Sequence, residues 1–523
     1  MVNVKIQGQM YLTGLTLKER EQIEKDLTFK NPKYEQIMRY SKWGSTREPQ
    51  YIEYFKYSTT DNHELVMQIP VGYKIPDNIK VDSITDNRCT QVQEDFPHFL
   101  MDLRPTQQEA LDKFVQCNAN PLGISGSIQM PTGKGKTILG LAIAEHYKCR
   151  TLIIVHKTDL VNGWQKDIKE AFGGKADVGL IKAQMKKCGK HFTIATIQTL
   201  NRLDSDTLKQ LYQNFGLIIQ DEMHHCPSSS FSLANNFKSR YRLGLTATPE
   251  RNDGLTHVMN LYYGDFCFKY GHRKDDADIL SVKVLKREVP VYFNPVARRI
   301  KGSYILGDTL AVAENFNSEY SLKDNQIRVS DIPYSDRPTI AHSLIDGAVV
   351  DFEDTINFVC NDIISEYSKG HSCIAFFSRI ESVEKYAETL KSLGVPDSDI
   401  GLYYGNNKNS DEVIKKAENQ RKFITLATYS KATEGTNVKQ WEVGFLVSSI
   451  NTGKNVEQAV GRIRRIKEGC KLSTAILYDY RYSKCYQISR HGFTRDERYM
   501  LLKFDGVDPN KGSLFSRGYK TNT

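Results

Sequence analysis

Apolar positions along the chain follow two alternating patterns. In RTLIIVHK (150–157), HFTIATIQTL (191–200), FGLIIQDEMHH (215–225) and YRLGLTATP (241–249) they gather in short runs of apolar and β-branched side chains that end in polar or small residues. Such runs predict strands buried on both faces. Between them lie stretches such as DLVNGWQKDIKEAF, where apolar residues recur every three or four positions, the spacing of one helix face. A second series repeats the alternation: HSCIAFFS (371–378), KFITLAT (422–428), EVGFLVSS (442–449) and LSTAILYDY (472–480), with IESVEKYAETLKSLG between strands. The prediction is an α/β protein with two tandem domains, each a parallel sheet flanked by helices.

The flanking segments read differently. Residues 1–95 open on an alternating run and pass through a helical stretch, LKEREQIEKDL. They then read as aromatic-rich strands, KYEQIMRY, QYIEYFKYS and ELVMQIP, which makes a small α+β domain. Its boundary falls near DFPHFLMDLRP, so the first α/β domain is expected over 96–271 and the second over 346–482. Residues 272–345 are expected as a connection in which VKVLKREVPVYF is an isolated strand and NPVARRIKGSYILGD a hairpin turning near Gly302. Residues 483–523 read as a C-terminal tail.

Composition narrows the class. With 523 residues, 40% hydrophobic and 25% charged, the chain reads as a soluble protein of about three domains. No run of ~18 apolar residues offers a membrane span. MVNVKIQGQMYLTG has neither a signal nor a transit pattern, so a cytoplasmic location is expected. Ten cysteines between Cys89 and Cys485, none in a C-x-x-C pair, argue for reduced thiols and against a disulfide framework or a zinc site. A net charge of +9 is compatible with a polyanionic partner and does not require one.

Candidate chemistry begins at MPTGKGKT (130–137), close to the phosphate-cradling pattern G-x-x-x-x-G-K-[ST], with Met130 in place of the first glycine. Glycines are needed where backbone N–H groups must approach phosphate oxygens, and Gly133 and Gly135 supply them. Pro131, Thr132 and Lys134 complete the loop. Lys136 would reach the β- and γ-phosphates, and the Thr137 hydroxyl would ligate Mg²⁺ at the start of a helix whose dipole favours the anion. Eighty-five residues after Lys136, DEMH follows an apolar strand. Asp221 could hold Mg²⁺ partly through water, and Glu222 could take a proton from the water attacking the γ-phosphate. Alone, DEMH reads equally as a polar strand end.

The order of motifs resembles that of superfamily 2 helicases and translocases. LRPTQQEAL looks like the adenine-reading segment, MPTGKGKT motif I, VHKTDLVNGW motif Ia, TIQTL motif Ib, DEMH motif II and LTATPERNDG motif III. AFFSRIESVEKYAETL looks like motif IV, LATYSKATEGTNV motif V and QAVGRIRR motif VI, so the resemblance covers about residues 100–480. It implies two tandem RecA-like domains that bind ATP in the cleft between them. Gln107 would contact adenine; Thr246, Thr248 and Gln458 would couple the ATP site to a strand track; Gly435 would line the nucleotide. Arg462 and Arg465, three apart on a predicted helix, would share a face and act as arginine fingers, with Arg464 pointing elsewhere. Without the other motifs, RIRR reads as a solvated basic helix face. Met130 and Asn437, the latter where motif V commonly has aspartate, depart from the pattern.

Within the superfamily, T-A-T-P-E-R-x-D-G is most similar to the XPB and phage UvsW types, which implies a phage branch-migration enzyme, of the T5-like phages, in the host cytoplasm. The partner implied is DNA, forked or branched, met by a monomer through His156, Lys157, Thr196, Gln198, Thr199, Ser378, Arg379 and Thr428. Contacts of this kind hold phosphates without reading bases. Arg39, Lys42, Trp43 and Arg47 could hold duplex DNA, and Arg298, Arg299 and Lys301 of the hairpin could grip a backbone near a fork. A duplex translocase without strand separation, and an RNA helicase, stay open.

Overall fold

A computed structural model of the chain describes all residues except 41–45, 120–125, 132, 183–184, 226–232, 234–235, 248–254, 272–279, 294, 301–302, 307–311, 314–325, 334–335, 339, 406, 434–437, 439, 452, 466–471 and 507–523. The chain divides into two compact units, Met1–Tyr270 and Gly271–Thr523.

The first unit opens with a five-stranded sheet in the order 56–59, 65–70, 9–13, 2–6, 81–86, antiparallel except for the last pair. Strand Val2–Ile6 alternates buried and exposed positions, so Val2, Val4 and Ile6 pack against Met10, Leu12, Met67 and Ile69 while Asn3 and Lys5 face water. Helix Leu17–Asp26 closes the buried face through Ile23. Thr16 caps it in a reciprocal pair with Glu19, whose carboxylate accepts from the Thr16 backbone N–H at 2.7 Å. KYEQIMRY, expected as a strand, is part of helix Pro32–Tyr40. Asn31 Oδ1 accepts from Lys33 N at 3.0 Å, Pro32 presets the first turn, and Tyr34, Ile37 and Met38 follow the helical period rather than alternation.

This α+β module is keyed to the parallel sheet of the same unit. Buried Arg242 on strand Tyr241–Thr246 donates to the Gly8 carbonyl at 2.9 Å, and Gly72 N donates to Leu261 O at 2.9 Å. Phe29 meets the His257 ring at 4.3 Å between centroids.

That sheet has eight strands in the order 185–187, 178–182, 192–196, 151–155, 217–220, 241–246, 126–129, 266–269, parallel except for the edge hairpin 178–187. The four apolar runs of its sequence are all strands. Thr151–Val155, Phe192–Thr196 and Leu217–Gln220 are buried at every position, which is why they show no alternation.

The second unit carries a six-stranded parallel sheet in the order 281–288, 474–481, 443–446, 373–377, 424–428, 400–403. Strand Ser281–Glu288, expected as an isolated strand of a connection, pairs along its whole length with Thr474–Arg481. It alternates in burial because it forms the sheet edge. The expected hairpin is present: Val296–Ile300 pairs antiparallel with Ser303–Leu306, Ile300 opposite Ser303, and a third strand, Gln326–Arg328, pairs on its other side. Arg298 and Arg299 are exposed on it; Lys301 lies outside the described residues.

The start of the expected tail belongs to this fold as well. Helix His491–Leu501 buries Arg495, whose guanidinium donates to Asp479 Oδ1 at 2.9 Å and to the carbonyls of Ile450 and Tyr480 at 3.0 Å each. Asp505 then bonds Val282 and Val284 through its backbone. Buried charges paired in this way look like a polar surface to a hydropathy pattern. No helix among the described residues is long and apolar enough to cross a membrane.

Candidate active site

The phosphate loop joins strand Gly126–Gln129 to helix Lys136–Tyr147. Gly133 and Gly135 have φ of 88° and 75°, the left-handed region that glycine enters without a Cβ clash. Gly135 is the N-cap of the helix, so loop N–H groups and the positive end of the helix dipole converge where an anion would bind. Met130 fills the place of the missing glycine by packing: its side chain is buried in the sheet core and its carbonyl accepts from Lys136 Nζ at 3.1 Å. Pro131 is buried beside it, with its carbonyl taking Lys134 N at 3.3 Å. The Lys134 ammonium lies 4.8 Å over the Tyr270 ring. Thr137 is partly exposed at the second helical position, and Thr132 lies outside the described residues.

Gln107 is turned onto the loop. Its Nε2 donates to the carbonyls of Lys134 at 3.2 Å and Gly135 at 3.1 Å, while its Oε1 accepts from Arg104 N at 2.9 Å. In this arrangement both amide hydrogens brace the loop, and the adenine contact rests on the resemblance.

Asp221 follows the last residue of strand Leu217–Gln220, on the carboxyl rim where ligands bind in open α/β sheets. Trp164 Nε1 donates to its Oδ2 at 3.0 Å and the Glu222 backbone N–H to its Oδ1 at 3.0 Å. Burial pushes the Asp221 carboxyl above its usual range and the adjacent Glu222 charge adds to this; the Trp164 bond and the Lys136 and His156 charges oppose it. Glu222 sits at φ 52°, a left-handed conformation costing a non-glycine residue ~1 kcal/mol or more, the kind of strain found at functional sites. Its Oε2 lies 3.3 Å from His224 Nδ1, which is also 3.3 Å from Thr246 Oγ1. Met223 packs on the bare backbone of Gly244, where an added Cβ would sit 2.5 Å from its Sδ. DEMH therefore touches the strand carrying Thr246 at two points. Thr248 lies outside the described residues.

Farther along the rim, Thr196 is level with Val155, and His156 and Lys157 follow. Gln198 Nε2 donates to the His156 carbonyl at 2.7 Å, and the Thr196 and Thr199 hydroxyls are 2.8 Å apart. The structure thus gathers His156, Thr196, Gln198 and Thr199 into one polar group beside Asp221.

In the second unit, helix Gly453–Ile463 carries Gln458 and Arg462. Arg462 is buried and donates to the Thr433 carbonyl. Arg465 lies beyond the helix end, not on its face as expected, with Nη1 3.5 Å from the Val438 carbonyl. Arg464 does point elsewhere: it donates to Leu280 O at 3.1 Å and lies 5.1 Å over the Phe504 ring. Gln458 Oε1 and Thr428 Oγ1 are buried with no hydrogen-bond partner among the described residues. Each such orphan costs ~1–3 kcal/mol, so these two positions suit a polar ligand or water. Ser378 N donates to Ser448 Oγ at 2.9 Å. Arg379 lies 3.5 Å from Asp351 and 3.4 Å from Glu381 carboxylate oxygens, so its charge is engaged within the fold. Gly435 and Asn437 lie outside the described residues.

The donor set fits a magnesium nucleotide: an ammonium and glycine-freed N–H groups for phosphates, and two oxygen ligands, Thr137 and Asp221, for a hard cation. Trp164 joins the site without a motif role in the sequence. Its signal was an indole at an apolar helix position, since a buried Trp N–H needs an acceptor.

Residues 100–251 match the family described as Type III restriction enzyme, res subunit, and residues 354–467 match the Helicase conserved C-terminal domain. The chain is 26% identical over 408 residues to L396 of Acanthamoeba polyphaga mimivirus, proposed by its name to be an ATP-dependent RNA helicase, covering 77% of this chain and 69% of the relative. It is 25% identical over 462 residues to the DNA 3'-5' translocase XPB2 of Sulfurisphaera tokodaii, covering 85% and 94%. To D10 of Escherichia phage T5, named a probable helicase, it is 25% identical over 344 residues, 64% of each chain.

Proposed function

Because the chain belongs to the superfamily 2 helicases and is an ATP-hydrolysing enzyme of that family, we propose that it uses ATP to move along DNA and to separate or remodel strands at forks and junctions. The observation that carries the coupling is the contact series Glu222–His224–Thr246, which ties the residue beside the reacting water to the adjacent strand of the sheet.

In this reading Lys136 and the loop N–H groups hold the β- and γ-phosphates, and Thr137 and Asp221 hold Mg²⁺. An ion held there would neutralise charge on the phosphate oxygens. Glu222 accepts the proton of the attacking water. Arg462 and Arg465, which donate to the carbonyls of Thr433 and Val438, stabilise the charge spreading over the transferred phosphoryl. His156, Lys157, Thr196, Gln198, Thr199, Ser378 and Thr428 contact the sugar–phosphate backbone, and loss of any one should weaken binding without changing sequence preference. Arg379 joins them only by exchanging Asp351 or Glu381 for a phosphate. We place the enzyme in the cytoplasm, acting as a monomer.

Strand displacement measured beside ATPase on forked DNA, four-way junctions, single strands and RNA tests the finer reading. Forks and junctions should be unwound, and a variant lacking residues 297–304, the Arg298–Arg299 hairpin, should keep its ATPase and lose most fork unwinding. Displacement of a triplex-forming strand with forks left paired would make the chain a duplex translocase, and stimulation by RNA alone would make it an RNA helicase. Normal unwinding by the deletion variant would remove the hairpin from the mechanism.

A further inference from the structure

We infer that Trp164 is a positioning residue for Asp221: its indole N–H fixes the carboxylate in the orientation that holding Mg²⁺ requires. The inference rests on Asp221 being a ligand of the metal shell.

Trp164 lies on helix Thr158–Ala171 and is 2% exposed, packed in the core of the first parallel sheet. Its one polar atom, Nε1, is spent on Asp221 Oδ2, 57 residues away in sequence. The far edge of the ring is wedged against Gly140, in the helix that begins with the phosphate-loop lysine: an added Cβ there would lie 3.4 Å from both Trp164 Cη2 and Ile219 Cδ1. The indole thus spans from the phosphate-loop helix to the residue that follows strand Leu217–Gln220, and packing sets its direction.

A carboxylate needs such a fixture. Its terminal torsion has a broad two-fold well, so packing of the aspartate alone does not choose which lone pairs face the nucleotide. Here each oxygen accepts one fixed donor, Glu222 N on Oδ1 and Trp164 Nε1 on Oδ2. With about four lone-pair sites on the group, each oxygen keeps one for the metal's water shell. Partners of this kind, one bond out from a ligand, typically govern metal affinity by ~10–100-fold. Phenylalanine would fill most of the same space and leave Oδ2 buried without that donor.

The test uses the full chain carrying 5-fluorotryptophan. The sequence has three tryptophans, so Trp164→Phe and Trp441→Phe assign the resonances. Trp441 is the control: it is equally buried, in the other unit, with Nε1 donating to Thr425 Oγ1 at 3.0 Å. Adding Mg²⁺ with ADP should move the Trp164 fluorine resonance, ADP with a chelator should not, and the Trp441 resonance should stay still. In ATPase assays Trp164→Phe should need ~10-fold more Mg²⁺ for half-maximal rate and regain most of kcat at saturating Mg²⁺, with Trp441→Phe unchanged. A Trp164 resonance indifferent to Mg²⁺–ADP, or an unshifted Mg²⁺ requirement in a folded Trp164→Phe chain, overturns the inference. If that variant does not fold, the wild-type fluorine titration decides alone. A wild-type chain with no ATPase would sink the functional reading, while the titration would still report on the indole.

Discussion

Lys136→Ala should lower ATP turnover by ~10²–10³-fold or more, the cost of removing one preorganised charge from a reacting phosphate, while leaving the fold intact. Lys136 is only partly buried and donates to the Met130 carbonyl at 3.1 Å, so alanine removes one hydrogen bond and little packing. Alanine is also the strongest helix former, so the first turn of helix Lys136–Tyr147 is kept. Steady-state ATPase with and without DNA, beside a thermal melt, checks this. Substantial DNA-stimulated turnover in a folded Lys136→Ala chain would remove MPTGKGKT from the catalytic site.

Glu222→Gln should separate binding from chemistry. The amide keeps the size of the side chain, so the 3.3 Å approach to His224 Nδ1 and the His224–Thr246 contact are retained. It cannot accept the proton of the attacking water, which predicts a fall in kcat of ~10²–10⁴-fold with nucleotide affinity nearly unchanged. Binding of a fluorescent ATP analogue measured with turnover separates the two. Equal losses in affinity and rate would assign Glu222 a structural part, and unchanged turnover would place the base elsewhere.

What was legible in the sequence follows from how each element meets solvent. The central strands of both parallel sheets are buried on two faces and therefore appear as unbroken runs such as TLIIV and CIAFF. Edge strands do not. Ser281–Glu288 alternates, and Ile400–Tyr403 is four residues long and half-buried, so one reads as isolated and the other gives no signal. Helix Pro32–Tyr40 reads as a strand in the sequence because its aromatic residues outweigh its helical spacing. At the site, backbone-dictated features were readable: glycines at 133 and 135 imply positive φ, and the structure has it. Side-chain partnerships across long separations were not. Nothing local announces that Gln107 braces the loop, that Arg379 is held by Asp351, or that Trp164 reaches Asp221. Each depends on which elements the sheet order makes neighbours, and strand order is set by packing rather than by any one segment.

ATPase of the wild-type chain, measured with no nucleic acid, with forked DNA and with RNA of the same length, bears most directly on the claim that this is an ATP-driven motor that works on DNA. The account predicts a rate that rises severalfold on adding DNA and is lost with Lys136→Ala. A rate that DNA does not change would contradict it.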